Sequence, residues 1–568
     1  MPLSHRRKPR PPQCGRAACG GRGAMTDASN PQTERSHHHE ATVSARGSPP
    51  PRTLVPKILA ALAAGVVTLG ALPAAHADPT VNSNVTSDVS HAEGVAGSTS
   101  GAASTITVGT EGGGTAPKIF YSSKYTPIFG TWRQGTTVDG TITVTGDGTA
   151  SNIYSGSFCA AFATHAKLTK GGNITIDRAN ITIADGTFKL NTSMGMIIER
   201  GVMGGFAFVN SAPGATKANA KVTKSEVLIK KGDFTAENNR IFIAGGMAYT
   251  RVADVLNQVN ASSNKLTIEA GSFSNLASLY GGIATTFTNG SVEGTASNNH
   301  LNFTSDSTVG DLAGGYTFAS GTVGTLKLEA NGNHLTAKGA AYRFYGGYAM
   351  GQQSSPTPAG TSAATANDNV VTIEAGSGTF SDESMAGYSD LQGPKLTTVT
   401  TEANGNTLNI SGGTFNGAIF GGKTVASTSD GSATATAKDN KLNISGGTYQ
   451  SDIYAGYALD KDNKGTATAK DNTIVIAGSP DLSAARLYGG YAAGQTRDVS
   501  GNALDIHETK GISVESIAGF QKIDFWLPAG MTKDDTMLSV TSTDATDLSA
   551  TAITAHLHGD ETETRLRL

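Results

Sequence analysis

Three aspartates, Asp368, Asp439 and Asp471, each stand directly before an asparagine and form the nearest thing to an acidic column in the sequence. Glycoside cleavage needs two carboxylates about 5–10 Å apart, and adjacent coils of a repeat could supply them. The same residues also read as solvated corners, where Asp-Asn pairs supply turn geometry. Nucleophile motifs are absent: there is no G-x-S-x-G, and "GYSDLQG" around Ser389 has no doubly wound sheet to make it an elbow. His165, His300, His334 and His507 are scattered, although His300 and His334 occupy one repeat slot and could make a pair. The "HHH" at His37 to His39 reads as solvated tail and not as a metal site, and the calcium signature of β-rolls is missing. No catalytic residue, metal ligand or cofactor is assigned. Binding has better candidates. Tyr316, Tyr348, Tyr388, Tyr457 and Tyr491 lie beside glycines late in the repeat. They make either an exposed stripe for a sugar or protein, or an internal stacked ladder.

Composition narrows the classes. Apolar residues are 38% and charged residues 16% of the 568, against about 45–50% (glycine included) and about 25% in ordinary domains. The place is taken by 71 glycines with Ala, Thr, Ser and Asn, which suits a β architecture rich in tight turns. A net charge of −3 offers no electrostatic case for nucleic acid.

Residues 1–51 are basic and Pro/Gly-rich, and are expected to be a disordered or mis-assigned extension. Arg52 and Lys57 then precede an apolar run, Ile58 to Leu72, which ends in "PAAHADP". A basic flank, a short apolar core and Ala-His-Ala fit a secretory signal over 52–77, cleaved after Ala77. Cys14 and Cys19 would leave with it, so Cys159 alone remains and packing must do the work of disulfides.

The dominant signal is repetition. "NKLNISGGTYQSDIYAGYA" from Asn440 matches "NTLNISGGTFNGAIFGGKT" from Asn406 at ten of nineteen positions. The same opening recurs at Asn264, Asn299, Asn333, Asn369, Asn472 and Asn502, at intervals of 30 to 37 residues, with looser passes at Ala179 and Ser225. A fixed period of this size marks a solenoid. Within a pass apolar and polar residues alternate, as at Leu442 and Ile444, which is the strand period. Stacked coils lie about 4.8 Å apart, so Leu must sit over Leu and Asn over Asn, with amides able to hydrogen-bond along the stack. A glycine pair late in each pass, such as Gly421-Gly422, would sit where a side chain collides with its neighbour. The segments expected are a flexible lead-in at 78–115, an N-terminal cap at 116–170, repeats at 171–510, and a C-terminal cap with the chain end at 511–568.

Tandem passes closed by "AGFQKIDFWLPAGMTKDDTMLSV" resemble the passenger region of bacterial autotransporters, the pertactin-like type V secreted proteins. The resemblance implies an all-β, right-handed parallel β-helix, here of about ten coils with capping segments, displayed on a Gram-negative cell surface. It also implies a C-terminal outer-membrane translocator barrel. The sequence given ends about forty residues past Trp526, so the barrel is expected elsewhere, or the protein in the periplasm. The function expected is a structural or adhesive module that binds host or bacterial surface protein or glycan. The alternative is a secreted β-helix lyase or glycosidase. Loops at 286–297, 351–365 and 387–400 vary most freely in length and are the expected contact sites.

Overall fold

Parallel, in-register pairing of equal repeat positions builds this protein. In the computed structural model Leu408 pairs with Leu442 and Ile410 with Ile444, and all four are buried. The structure describes residues 172–557, with breaks at 184–186, 191–200, 210–215, 237–240, 274–276, 323, 355–358 and 544–545, and the backbone of strands between Thr80 and His165. The signal segment and His37 to His39 lie outside the described residues. The described elements are strands, wound as a parallel β-solenoid of about nine turns with no helix among them.

One turn shows the plan. Lys441–Ile444 belongs to a first sheet, Ile453–Asp460 to a second and Ser432–Lys438 to a third. The short strand Thr448–Tyr449 carries an inward aromatic. Stacked over successive turns, Phe344, Phe380, Phe415 and Tyr449 form a buried column with ring centroids 5.3, 5.1 and 5.0 Å apart. The strands Ala503–His507, Lys522–Trp526 and Ala552–His556 extend the first sheet to the C-terminal end, where Phe520 and Leu527 are buried.

The corner between the third and first sheets explains the asparagines. Eight of them, Asn264, Asn299, Asn333, Asn369, Asn406, Asn440, Asn472 and Asn502, are buried in one column. From Asn264 to Asn472, each backbone N–H and each Nδ2 donates to the Oδ1 of the next asparagine along; from Asn406 to Asn440 both bonds are 3.0 Å. The column begins with the Ser225 N–H donating to Asn264, and at the other end the Asn502 N–H donates to Gln521. A buried amide with its donors and acceptor satisfied avoids the desolvation cost of an orphaned polar group. The residue before each asparagine must turn into the left-handed region. Ser263, Asn298, Asp368, Asp439 and Asp471 do so at φ 56–58°, and Gly332, Gly405 and Gly501 at 64–73°. Asp and Asn tolerate that conformation better than most residues.

The bend in the second sheet presses against this corner. A Cβ on Gly422 would lie 2.3 Å from the Ala403 carbonyl oxygen and 2.6 Å from Nδ2 of Asn440. Only a hydrogen fits. In the C-terminal half the contact divides the interior in two. Ile444, Tyr449, Ile453 and Ala455 pack on one side, and Ala433, Ala435, Ala437 and Ala458 on the other.

Candidate functional site

Register places all five candidate tyrosines in a single column on the second sheet. Tyr316 pairs with Tyr348, Tyr348 with Tyr388, and Tyr457 with Tyr491. Between Tyr388 and Tyr457 the column is interrupted by Lys423. Burial splits the set. Tyr316 and Tyr348 are buried, their rings stacked 4.9 Å apart, so the exposed-stripe reading does not describe them. Tyr388 is half-buried and its hydroxyl donates to Asp390 at 2.9 Å. Tyr457 is half-buried and Tyr491 is 41% exposed. The physical reason is the strand itself: from 340 to 353 residues on both faces are buried, so period-two alternation does not tell the faces apart there.

Lys423 makes the break chemically distinct. Its ammonium lies 4.3 Å from the Phe420 ring centroid, 5.5 Å from that of Tyr457 and 6.0 Å from that of Tyr388. Glu383 pairs with it at 2.5 Å. The cation is thereby neutralised within the protein and held among ring faces that attract it.

A second aromatic column, separate from the five candidate tyrosines, runs on the other side of the glycine pairs. Phe420, Tyr454 and Tyr488 stack at 5.1 and 4.6 Å. The signal was present, since "YAGY" and "YGGY" place an aromatic on each side of the bend. Tyr454 meets Tyr457 edge-on at 5.5 Å. Asp452 anchors this group: Arg486 donates to it twice, at 2.7 and 2.9 Å, and the Tyr454 hydroxyl donates at 3.1 Å.

Burial raises the pKa of these phenols. The Tyr457 hydroxyl is pushed up to about 12, chiefly by burial and then by Tyr491 and Glu383. Tyr249 also stands at about 12, because burial outweighs Arg251. Burial holds Tyr316, Tyr345, Tyr388 and Tyr449 well above the usual phenol range. In the unfolded chain each would ionise near pH 10. A folded value above the unfolded one gives stability that is present below about pH 10 and lost as pH rises toward the folded values. The melting temperature should therefore hold to about pH 9.5 and fall continuously above about pH 10. A pH titration of thermal melts checks this, and a flat profile to about pH 12 would contradict the buried phenols.

The other chemistry-bearing residues stay apart from this group. Asp368, Asp439 and Asp471 are exposed, left-handed corner residues, with Lys438 3.9 Å from Asp439 and Lys470 3.7 Å from Asp471. His300 and His334 do form a pair, stacked at 4.8 Å with ring planes 4° apart on the outer face of the first sheet. Burial, then His334 and Lys265, lowers the pKa of His300. Among the described residues no group of three or more His, Cys, Asp or Glu side chains is arranged to hold a metal ion. No helix among them is long and apolar enough to cross a membrane. At the C-terminal end His507, Trp526 and His556 stack at 5.2 and 3.9 Å, with His556 3.3 Å from Asp524. Compared with models of known protein families, with curated proteins and with solved structures, the chain finds no match in any of the three.

Proposed function

We propose that this protein is an exported structural and adhesive surface module. It would work in the manner of an autotransporter passenger and bind protein or glycan on host or neighbouring bacterial cells. The observation that carries this reading is the pair of aromatic columns reaching solvent at Tyr491 on a scaffold of repeated rungs. Such a scaffold holds its faces rigidly, and Tyr supplies large contact area at low entropic cost. Export follows from the signal-like segment at 52–77. Surface display, with an outer-membrane translocator barrel as partner, follows from the resemblance alone.

A second reading, a β-helix enzyme acting on polysaccharide, draws on Asp505 and Asp524, register partners on adjacent turns. Burial and then Asp524 raise the pKa of Asp505. Burial opposes ionisation of Asp524 too, yet Lys522 and His556 hold it below the usual carboxylate range. Carboxylates pushed apart in this way suit acid and base roles, although Asp524 is buried beneath Lys522 and His556.

Beads coated with the purified full chain should adhere to epithelial or bacterial cells at least fivefold more than albumin-coated beads. Adhesion no better than albumin overturns the adhesive reading. New reducing ends released from a polysaccharide would favour the enzyme instead.

A further inference from the structure

We infer that the two aromatic columns at the C-terminal turns form a subsite for an uncharged, polyhydroxylated chain, that is, a neutral glycan. This rests on reading the protein as a binding module and names the class of ligand. The geometry comes first. Tyr454 and Tyr488 stack with centroids 4.6 Å apart and Tyr457 and Tyr491 at 4.8 Å. Rings in face-to-face contact need only about 3.5 Å, so each ring is tilted by about 40° from the stacking direction. Two columns tilted in opposite senses should then meet at about 80°. The measured angles are 88° for Tyr454 with Tyr457 and 78° for Tyr454 with Tyr491. The columns thus meet as a herringbone whose last rung reaches solvent at Tyr491, 41% exposed.

The charge pattern selects the ligand. The two cations beside the columns are satisfied within the protein: Arg486 by two hydrogen bonds to Asp452, and Lys423 by Glu383. Glu515, exposed and close enough to act on Tyr488 and Arg486, adds negative charge that repels an anionic ligand. The hydroxyls of Tyr457, Tyr488 and Tyr491, by contrast, have no hydrogen-bond partner among the described residues. Burial raises Tyr457 and Tyr488, so both hydroxyls keep their protons at neutral pH. What the surface offers is apolar ring face bordered by neutral hydroxyls that both donate and accept. Sugar rings match that, with apolar C–H faces and hydroxyl rims. An acidic polysaccharide, which Glu515 repels, does not.

Affinity electrophoresis of the full chain through gels containing laminarin, arabinoxylan or galactomannan, with polygalacturonate as the anionic comparison, tests the inference. At least one neutral polymer should retard the protein, and Tyr491→Ala and Tyr488→Ala should each weaken that retardation at least fivefold. His300→Ala, on the first sheet, should leave it unchanged. Melting curves confirm that the tyrosine variants fold; if one does not, Tyr491→Ser at the exposed end replaces it. Retardation by none of the three neutral polymers, retardation by polygalacturonate alone, or binding unaffected in folded tyrosine variants overturns the inference. The bead assay separates the two levels. Adhesion that survives both periodate treatment of the target cells and Tyr491→Ala leaves the adhesive reading standing and removes the glycan subsite.

Discussion

Gly422→Ala is expected to destabilise the protein by about 3 kcal/mol or more, at the upper end of overpacking effects. The new Cβ would fall 2.3 Å from the Ala403 carbonyl and 2.6 Å from Asn440 Nδ2. Neither can retreat, since the carbonyl belongs to the backbone beside the corner and the amide is held in the buried column. Gly421→Ala is the matched comparison and should cost clearly less. Its nearest contact, at 2.4 Å, is the Cδ1 end of the Leu442 side chain, followed by a neighbouring carbonyl at 2.5 Å. The protein already carries alanine at the equivalent of Gly421 in two turns, Ala386 and Ala455, whereas the equivalent of Gly422 is glycine at Gly246, Gly282, Gly315, Gly347, Gly387, Gly456 and Gly490. Thermal melts and limited proteolysis of the pair measure the difference. Equal stability of the two variants would mean that the bend does not press on the asparagine column.

Asn440→Ala should cost about 4 kcal/mol, for a different reason. The Oδ1 of Asn440 accepts from both the N–H and the Nδ2 of Asn406. Removing it leaves two buried donors unpaired, each at about 1–3 kcal/mol. The damage lies in the middle of the stack, and solenoid stability depends on each interface between neighbours. Denaturant unfolding should therefore lose cooperativity as well as midpoint. Asn409→Ala tests the same chemistry at the surface. Asn443 donates to Asn409 at 2.8 Å, but both are half-exposed, so water replaces the bond and the loss should stay under about 1 kcal/mol. A cost for Asn440→Ala no larger than that of Asn409→Ala would show that the buried amide column contributes nothing special.

The repeat made much of this fold readable before any coordinates. Asn406 and Asn440 head matching passes, and Leu408 must lie over Leu442 if coils stack, as they do. The glycine pairs were recognisable as positions without room. Their partner was not: Gly422 and Asn440 lie eighteen residues apart and meet only because the third sheet folds back across the coil. The candidate site was legible in part. All five candidate tyrosines share one column, but Phe420, Tyr454 and Tyr488, which stack on the other side of the same bend, with Tyr454 meeting Tyr457 edge-on, are not among them.

What the amino-acid order determined alone is the strand period, the length of a turn and the identity of stacked positions. Parallel in-register stacking demands like residues at a fixed interval, and that demand is written along the chain. Tertiary structure alone decided which tyrosines meet solvent. At the bend the alternation of inside and outside breaks down, so Tyr348 and Tyr491 occupy the same repeat slot, one buried and the other 41% exposed. A repeat specifies what each rung presents to the next; how much of its outer face is covered depends on the rest of the chain.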